Sequence, residues 1–260
     1  MIQWIYRTLI ELTNGKWSSF ILKGFAQSKL SRYIVPSFAK VYNINENEMS
    51  QPLKEYTSLH DFFVRKLKAG ARSINQEQHS VASPVDAVME DYGTISPELI
   101  LTVKGKRYSV LDMLGSEEKA NQYINGTYVL LYLSPSHYHR IHSPITGRVI
   151  GQWTLGRKSY PVNRYGLKYG REALSKNYRK ILEVKHDSGI AAIVKVGAMF
   201  VNSIETIHNG EHVKKGEEIA YFTFGSTVIL LFNQDSFAPI SPLSVPADVK
   251  VGEVIGYLKN

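Results

Sequence analysis

The chain of 260 residues contains no cysteine. Disulfide bonds, thiolate metal sites and a cysteine nucleophile are therefore excluded. The sequence also has no apolar run close to the roughly 20 residues that a membrane-spanning helix requires. No signal peptide is predicted, because Arg7 and Glu11 interrupt the apolar N-terminus and no small-residue cleavage site follows. We therefore expect any contact with a membrane to be peripheral.

Negative charge is in deficit, with 23 Asp and Glu residues against 31 Lys and Arg residues and a formal net charge of +8. Such a balance favours an anionic partner, which is either a nucleic acid or an acidic membrane surface. The sequence has no motif for binding RNA or DNA, and its cations are spread rather than clustered. We therefore predict an anionic membrane surface as the partner and no nucleic acid.

Two N-terminal segments, residues 1–12 and residues 20–40, combine apolar, aromatic and basic side chains at helical spacing. This composition suits helices that lie in the lipid headgroup layer. The alternative is that the apolar stripes pack on the rest of the protein, as most amphipathic helices do. The first segment has its stripe at Ile2, Ile5, Tyr6, Leu9 and Ile10.

The pattern of apolar residues changes along the chain. Residues 1–70 are predicted to be helical, with Ser58 capping a helix that runs through Leu67. Residues 71–260 contain short β-prone runs broken by Gly, Pro and Asn, interrupted by a helix that begins at Val110. The predicted fold class is α+β, with a helical N-terminal region on a mostly antiparallel β core.

The β region contains an internal repeat. Residues 213–222 match residues 249–258, and each copy has a Lys-x-Gly-Glu turn followed by a strand. The pattern resembles the barrel-sandwich hybrid of biotinyl and lipoyl carrier domains. Those carriers present their modified lysine in a hairpin that this sequence lacks. The repeat therefore predicts a fold and not a carrier function.

The dipeptide Gly225-Ser226 precedes the apolar run Val228–Phe232. A serine hydroxyl at this position can attack the preceding carbonyl, and glycine leaves that carbonyl uncovered. The reaction also needs a base to take the hydroxyl proton and an acid to orient the base. Taken alone, a Gly-Ser pair before a strand is an ordinary turn.

Histidine and acid candidates for this chemistry are His139, His142 and Asp86. The His-x-x-His spacing is also seen in zinc proteins. No third ligand occurs at a suggestive spacing and Arg140 would repel a cation, so we predict no metal site. Asp86 follows Ser-Pro, which is also a common context for a turn acid.

Four motifs together resemble the phosphatidylserine decarboxylase family of the prokaryotic type. They are Phe224–Thr227, Tyr138–Pro144, Val85-Asp86 and Phe62–Leu67. Phe224 replaces the leucine that is typical of the family's serine motif. The resemblance covers the chain from about Leu59 to the C-terminus.

The resemblance implies that the Gly225–Ser226 bond cuts itself, giving a large chain, 1–225, and a small chain, 226–260. Ser226 would then become a covalent pyruvoyl cofactor that forms a Schiff base with the substrate amine. Asp86, His142 and Ser226 would form the self-processing triad, with His142 as general base and Asp86 as its orienting partner. His139 is the candidate proton donor in decarboxylation.

The implied activity converts phosphatidylserine to phosphatidylethanolamine and CO2 in phospholipid biosynthesis. The implied location is the cytoplasmic side of the cell membrane, bound peripherally, and the oligomeric state is left open with a homodimer as one option. Two alternatives stay open at this point. One is a related decarboxylase of a soluble amino acid, and the other is a non-catalytic carrier-like or membrane-binding module.

Overall fold

A computed structural model describes most of the chain. The described residues are 16–103, 105–157, 159–160, 162, 172–198, 204–223, 225–240 and 244–259, with side chains from residue 21 onward. The predicted apolar stripe in residues 1–12 and the predicted apolar anchor Phe224 lie outside the described residues.

From residue 16 to the start of the first strand, the described chain contains three α-helices, α1 (Lys16–Gln27), α2 (Val35–Val41) and α3 (Leu59–Phe63). Short 3₁₀ helices at Lys29–Ile34, Glu46–Glu48 and Leu53–Glu55 connect them. Apolar side chains of this part pack into a cluster of their own, made of Val35, Phe38, Ala39, Ile44, Met49, Tyr56, Phe62 and Phe63.

Helix α3 begins where the sequence predicts but ends sooner. The Ser58 hydroxyl accepts a hydrogen bond from the Asp61 N–H at 3.1 Å, which is an N-cap. The predicted continuation to Leu67 is wrong. Residues 66–68 are instead hydrogen-bonded through their backbone to residues 48–50. This non-local pairing replaces the helical hydrogen bonds.

The rest of the described chain contains three further helices and the strands of the fold. The helices are α4 (Val110–Leu114), α5 (Glu117–Asn121) and α6 (Ala173–Lys176). The strands are β1 (Ser80–Ala82), β2 (Ala87–Thr94), β3 (Ile100–Val103), β4 (Lys106–Ser109), β5 (Thr127–Leu133), β6 (Arg140–His142), β7 (Gly147–Leu155), β8 (Arg179–His186), β9 (Gly189–Gly197), β10 (Ile204–Thr206), β11 (His212–Val213), β12 (Glu218–Phe222), β13 (Ser226–Phe232), β14 (Phe237–Pro239), β15 (Ala247–Val249) and β16 (Val254–Leu258).

An eight-stranded antiparallel sheet has the order β11-β7-β8-β9-β13-β5-β2-β15, and its central strands are buried on both faces. Strand β13 lies near its centre, and all seven of its residues are buried. Because side chains alternate along a strand, Val228 and Leu230 point into one core and Ile229 and Leu231 into the other. The first core includes residues of two small sheets, β1-β16-β14 and β10-β12-β6. The second includes residues of α4–α6 and of the hairpin β3-β4.

The internal repeat is structural as well as sequential. Gly216 and Gly252 both have positive φ, at 83° and 90°, where glycine is favoured. The glutamate after each glycine accepts a hydrogen bond from a backbone N–H, Lys214 to Glu217 and Lys250 to Glu253, both at 2.9 Å. The matching turns lead into β12 and β16.

The predicted α+β class is confirmed, and none of the described sheets closes into a barrel.

Two Ser-Pro segments, Ser83-Pro84 and Ser143-Pro144, are hydrogen-bonded to each other, and this pairing positions two residues of the candidate site. The His142 N–H donates to the Pro84 carbonyl at 2.8 Å, and the Ala82 N–H donates to the Pro144 carbonyl at 3.0 Å. The segment that carries Asp86 therefore lies against the segment that carries His142.

Candidate active site

Ser226 is the first residue of the central strand β13, paired with Leu133 of β5 and Gly197 of β9. Its side chain is fully buried, and its hydroxyl has no hydrogen-bond partner among the described residues. Most buried polar groups in proteins are hydrogen-bonded, so an unpartnered buried hydroxyl is a sign of function.

The carbonyl of Gly225, which precedes Ser226, accepts a hydrogen bond from the Ala198 N–H at 2.9 Å. A donor at this position stabilises negative charge that develops on the oxygen when the carbonyl carbon is attacked. The sheet therefore fixes the Gly225–Ser226 bond and polarises its carbonyl. Sequence reasoning did not find Ala198, because only the pairing of β9 with β13 places it there.

Ser226 faces the core that contains the small sheets, because it alternates with Val228 and Leu230. Strand β12 of one small sheet ends at Phe222, and the Phe222 N–H donates to the His139 carbonyl at 2.9 Å. The chain thus passes the backbone of His139 shortly before it reaches Ser226.

His142 lies at the end of β6, half-buried. Its Nδ1 lies 2.8 Å from the Gly216 carbonyl oxygen, which can only accept, so Nδ1 carries the proton. A ring protonated only at Nδ1 has its lone pair on Nε2, which is 3.4 Å from the Tyr138 hydroxyl. Burial raises the pKa of Tyr138, so this hydroxyl stays protonated. His142 therefore has the tautomer that a general base acting through Nε2 requires.

His139 is fully buried, and its ring lies 3.9 Å from the ring of Phe63. Its Nδ1 donates to the His137 carbonyl at 2.8 Å, and its Nε2 has no partner among the described residues. Burial, and then the nearby charge of Arg65, lower the pKa of His139 well below its usual value. The ring is therefore neutral, with an available lone pair on Nε2.

Asp86 is buried, and its carboxylate is bound by the Arg72 guanidinium and by the Val251 N–H at 2.9 Å. Arg72 also forms an ion pair with Glu48 at 2.8 Å. The structure thus joins Asp86 to His142 through the backbone of Pro84, while the Asp86 carboxylate is hydrogen-bonded to other groups. The role of Asp86 as the orienting partner of His142 stays a prediction.

Two groups that orient the predicted site residues were missed by sequence reasoning. The Gly216 carbonyl orients His142, and Arg72 holds Asp86. Gly216 lies in the repeated Lys-x-Gly-Glu turn, so the repeat was the signal that could have identified it. Arg72 carries no such signal, since it lies in a loop between α3 and β1.

The two arginines Arg140 and Arg179 have different surroundings. Arg140 forms an ion pair with Glu218, and the Arg179 side chain donates to the backbone carbonyls of Met113 and Asn177 at 2.7 and 2.8 Å. In the described part of the chain, no group of three or more His, Cys, Asp or Glu side chains is placed to hold a metal ion.

The N-terminal helices expose an apolar patch, defined here as Ile21, Phe25, Leu30 and Tyr33. The side chains of Ile21, Leu30 and Tyr33 are 67%, 70% and 70% exposed. Exposed cations, Lys29 and Arg32, lie within the same segment. Among the described helices, none is long and apolar enough to cross a bilayer.

Comparison with known proteins gives a consistent match. The family model described as phosphatidylserine decarboxylase matches residues 59–257. A phosphatidylserine decarboxylase proenzyme of Geobacillus sp. (strain WCH70) is 58% identical over 259 residues, which cover 100% of both chains. A protein of the same name from Bacillus thuringiensis (strain Al Hakam) is 57% identical over 251 residues, or 96% of each chain.

Proposed function

This chain belongs to the phosphatidylserine decarboxylase family, and we propose that it is a proenzyme that cuts its own Gly225–Ser226 bond and then converts phosphatidylserine to phosphatidylethanolamine and CO2. The observation that carries the proposal is the Ser226 hydroxyl. It is buried and unpartnered among the described residues, next to a carbonyl that already accepts an N–H from Ala198.

Self-cleavage would begin with attack of the Ser226 hydroxyl oxygen on the Gly225 carbonyl carbon. His142 would take the hydroxyl proton at Nε2, and the Ala198 N–H would stabilise the oxyanion. The C–N bond then breaks and the nitrogen gains a proton, which leaves Gly225 joined to Ser226 as an ester. Loss of the Ser226 Cα proton expels Gly225 as a carboxylate, and hydrolysis of the resulting dehydroalanine releases ammonia.

The residues around Ser226 fit the pyruvoyl group that this sequence of steps would produce. The hydroxyl of Thr223 and the Nε2 of His139 are buried without partners among the described residues, so hydrogen-bonding groups are available. The group supplies an electrophilic carbonyl that condenses with the substrate amine and accepts electrons as CO2 leaves.

His139 is proposed to move the proton of the decarboxylation step. Because its ring is neutral, Nε2 can accept a proton from the substrate ammonium, which must be deprotonated before it reacts with a carbonyl. The same proton can then be returned to the substrate Cα after CO2 has left. The neutral state therefore makes His139 a base first and a proton donor second.

The N-terminal apolar patch is proposed to bind an anionic membrane surface. Apolar side chains that are exposed beside Lys29 and Arg32 suit the headgroup layer, where the apolar groups enter the lipid and the cations contact acidic lipids. A substrate that resides in the bilayer requires such a contact.

Release of CO2 from carboxyl-labelled phosphatidylserine in vesicles tests the activity. We expect the wild type to release CO2 and Ser226→Ala to remain a single chain without activity. His139→Ala is expected to cleave normally but to decarboxylate about 10²–10⁴ times more slowly, as loss of a proton-transfer group predicts. Equal loss of cleavage and decarboxylation in His139→Ala would contradict the separate roles of the two histidines.

A further inference from the structure

Arg65 is a buried cation without a counterion among the described residues. It is 4% exposed, and its Nη2 donates to the carbonyls of Ser136 and His137 at 2.8 and 2.9 Å. Its Nη1 is buried and has no hydrogen-bond partner in the described part of the chain. Burying an unpaired charge is strongly unfavourable, so an arginine held in this state indicates an anion that arrives from outside.

Arg65 lies beside the reacting groups. The His137 carbonyl accepts hydrogen bonds from both Arg65 Nη2 and His139 Nδ1, at 2.9 and 2.8 Å. The charge of Arg65 also contributes to the lowered pKa of His139. The unpartnered Nη1 therefore belongs to the same site as the unpartnered Nε2 of His139.

The acid near Arg65 is already neutralised. Asp86 has an electrostatic effect on Arg65, but its carboxylate is held by the Arg72 guanidinium through two hydrogen bonds of Nε, at 2.9 and 3.2 Å. The positive charge of Arg65 thus remains available to an external anion.

Contacts link Arg65 both to the segment of the N-terminal apolar patch and to His139. Ser31, which lies between Leu30 and Tyr33 in the sequence, has a buried hydroxyl that accepts the Leu59 N–H at 2.8 Å at the start of α3. The same helix carries Phe62, whose ring centre is 5.3 Å from the Arg65 guanidinium carbon, and Phe63, whose ring centre is 3.9 Å from that of His139. Contacts through α3 therefore connect the segment of the patch with Arg65 and with His139.

We propose that Arg65 binds the phosphodiester of the phospholipid substrate through Nη1. This inference rests on the proposed function. In phosphatidylserine the phosphodiester lies between the acyl chains and the amino acid, and the contacts likewise link Arg65 to the segment of the patch on one side and to His139 on the other. A cation on the departing carboxylate would stabilise the ground state and oppose decarboxylation, so the phosphodiester is the better-suited anion.

The test compares two substrates in neutral detergent micelles, short-chain phosphatidylserine and an O-acyl-serine that lacks the phosphodiester. We expect Arg65→Gln to lower kcat/KM for phosphatidylserine about 10–100-fold, mainly through KM, because a charge-assisted hydrogen bond is lost. The value for O-acyl-serine should hardly change, and Arg65→Lys should restore part of the loss. Lys66→Gln removes an exposed cation from the same segment and serves as the matched control.

Three results would overturn the assignment or its basis, and they can be told apart. Equal loss on both substrates, in the Gln and the Lys variant alike, would mean that Arg65 only positions His139. Phosphatidylethanolamine keeps the phosphodiester but lacks the carboxylate. If it inhibits Arg65→Gln as strongly as the wild type, Arg65 contacts the substrate carboxylate and not the phosphodiester. A wild type that neither cleaves nor releases CO2 would instead refute the proposed function. Chain cleavage, read on a denaturing gel, shows which variants are folded.

Discussion

At the scale of single residues, the two histidines differ in the groups that surround them. Both rings have Nδ1 on a backbone carbonyl, Gly216 for His142 and His137 for His139, which leaves Nε2 as the basic atom in each. His139 is fully buried beside Arg65, whereas His142 is half-buried beside Tyr138. The surroundings of the two rings therefore differ in burial and charge, in line with the two different proton transfers proposed for them.

The Ala198 N–H provides a residue-scale prediction for self-cleavage. Ala198→Pro removes the hydrogen bond to the Gly225 carbonyl and is expected to slow cleavage about 10²–10³-fold, the usual effect of deleting an oxyanion donor. The rate is measured by following chain cleavage in freshly translated protein. Ala198→Ser keeps the N–H and is the control, expected to cleave at nearly the wild-type rate. An unchanged rate in the proline variant, with folding verified by circular dichroism, would remove Ala198 from the mechanism.

At the scale of elements, local signals and non-local pairing explain what the sequence could predict. Strands β5, β9 and β13 were predictable because their apolar runs are typical of buried strands. The cap of α3 at Ser58 was also predictable, because it depends on a short local motif, in which Asp61 follows Ser58 by three residues. The early end of α3 was not, because it depends on pairing of residues 66–68 with residues 48–50.

The groups of the candidate site likewise fall into those that the sequence could predict and those that depend on the three-dimensional fold. Ser226, His142 and Asp86 were identified by motifs that resemble a known family. The groups that orient or polarise them, such as the Gly216 carbonyl and the Ala198 N–H, are backbone atoms brought in by the repeat and by sheet register. A backbone atom leaves no residue-type signature, so these contacts required a three-dimensional structure.

Strand β9 carries a buried lysine whose ionisation affects stability. Lys195 is paired with Val228 of β13 and with Lys180 of β8, and burial lowers the pKa of Lys195 to about 7, with Lys180 adding to the shift. An unfolded lysine has a pKa of about 10.4, so between these two values the unfolded chain binds more protons than the folded chain. The contribution of Lys195 to stability therefore becomes more favourable as pH rises across that window, and it is most unfavourable below pH 7.

We expect Lys195→Met to raise the free energy of unfolding at pH 7 by roughly 2–4 kcal/mol and to flatten its rise towards pH 10. Denaturant unfolding in a Ser226→Ala background, which keeps one chain, measures both effects. Lys185→Met, at an exposed cation on β8, is the control and should change stability by no more than about 0.5 kcal/mol. An unchanged pH dependence in Lys195→Met would show that Lys195 is charged in the folded chain.

At the scale of the whole molecule, the apolar patch and the reaction site are parts of one connected arrangement. Helix α3 contributes rings to the site, and its Leu59 N–H is hydrogen-bonded to Ser31, next to Leu30 of the patch in the sequence. If the patch enters a bilayer, the lipid headgroups would therefore lie near Arg65.

Charge placed in the patch tests this arrangement. Leu30→Glu with Tyr33→Glu is expected to weaken binding to anionic vesicles about tenfold or more, because two exposed apolar groups become charged and repel acidic lipids. Vesicle sedimentation measures the binding. Leu111→Glu, at a 40% exposed leucine on α4, is the matched control and should bind like the wild type. Equal binding by the patch variant would place the membrane contact elsewhere.

Intact mass spectrometry of the purified wild type shows whether the Gly225–Ser226 bond is the bond that cuts itself. We expect two chains, residues 1–225 and residues 226–260, with the small chain lighter by one ammonia than a chain that begins with serine. Asp86→Ala, His142→Ala and Ser226→Ala should each give a single mass for the uncut chain. Self-cleavage at this bond would be refuted by a wild type that stays in one piece while it decarboxylates phosphatidylserine, and formation of the pyruvoyl group by a small chain that begins with an unmodified serine.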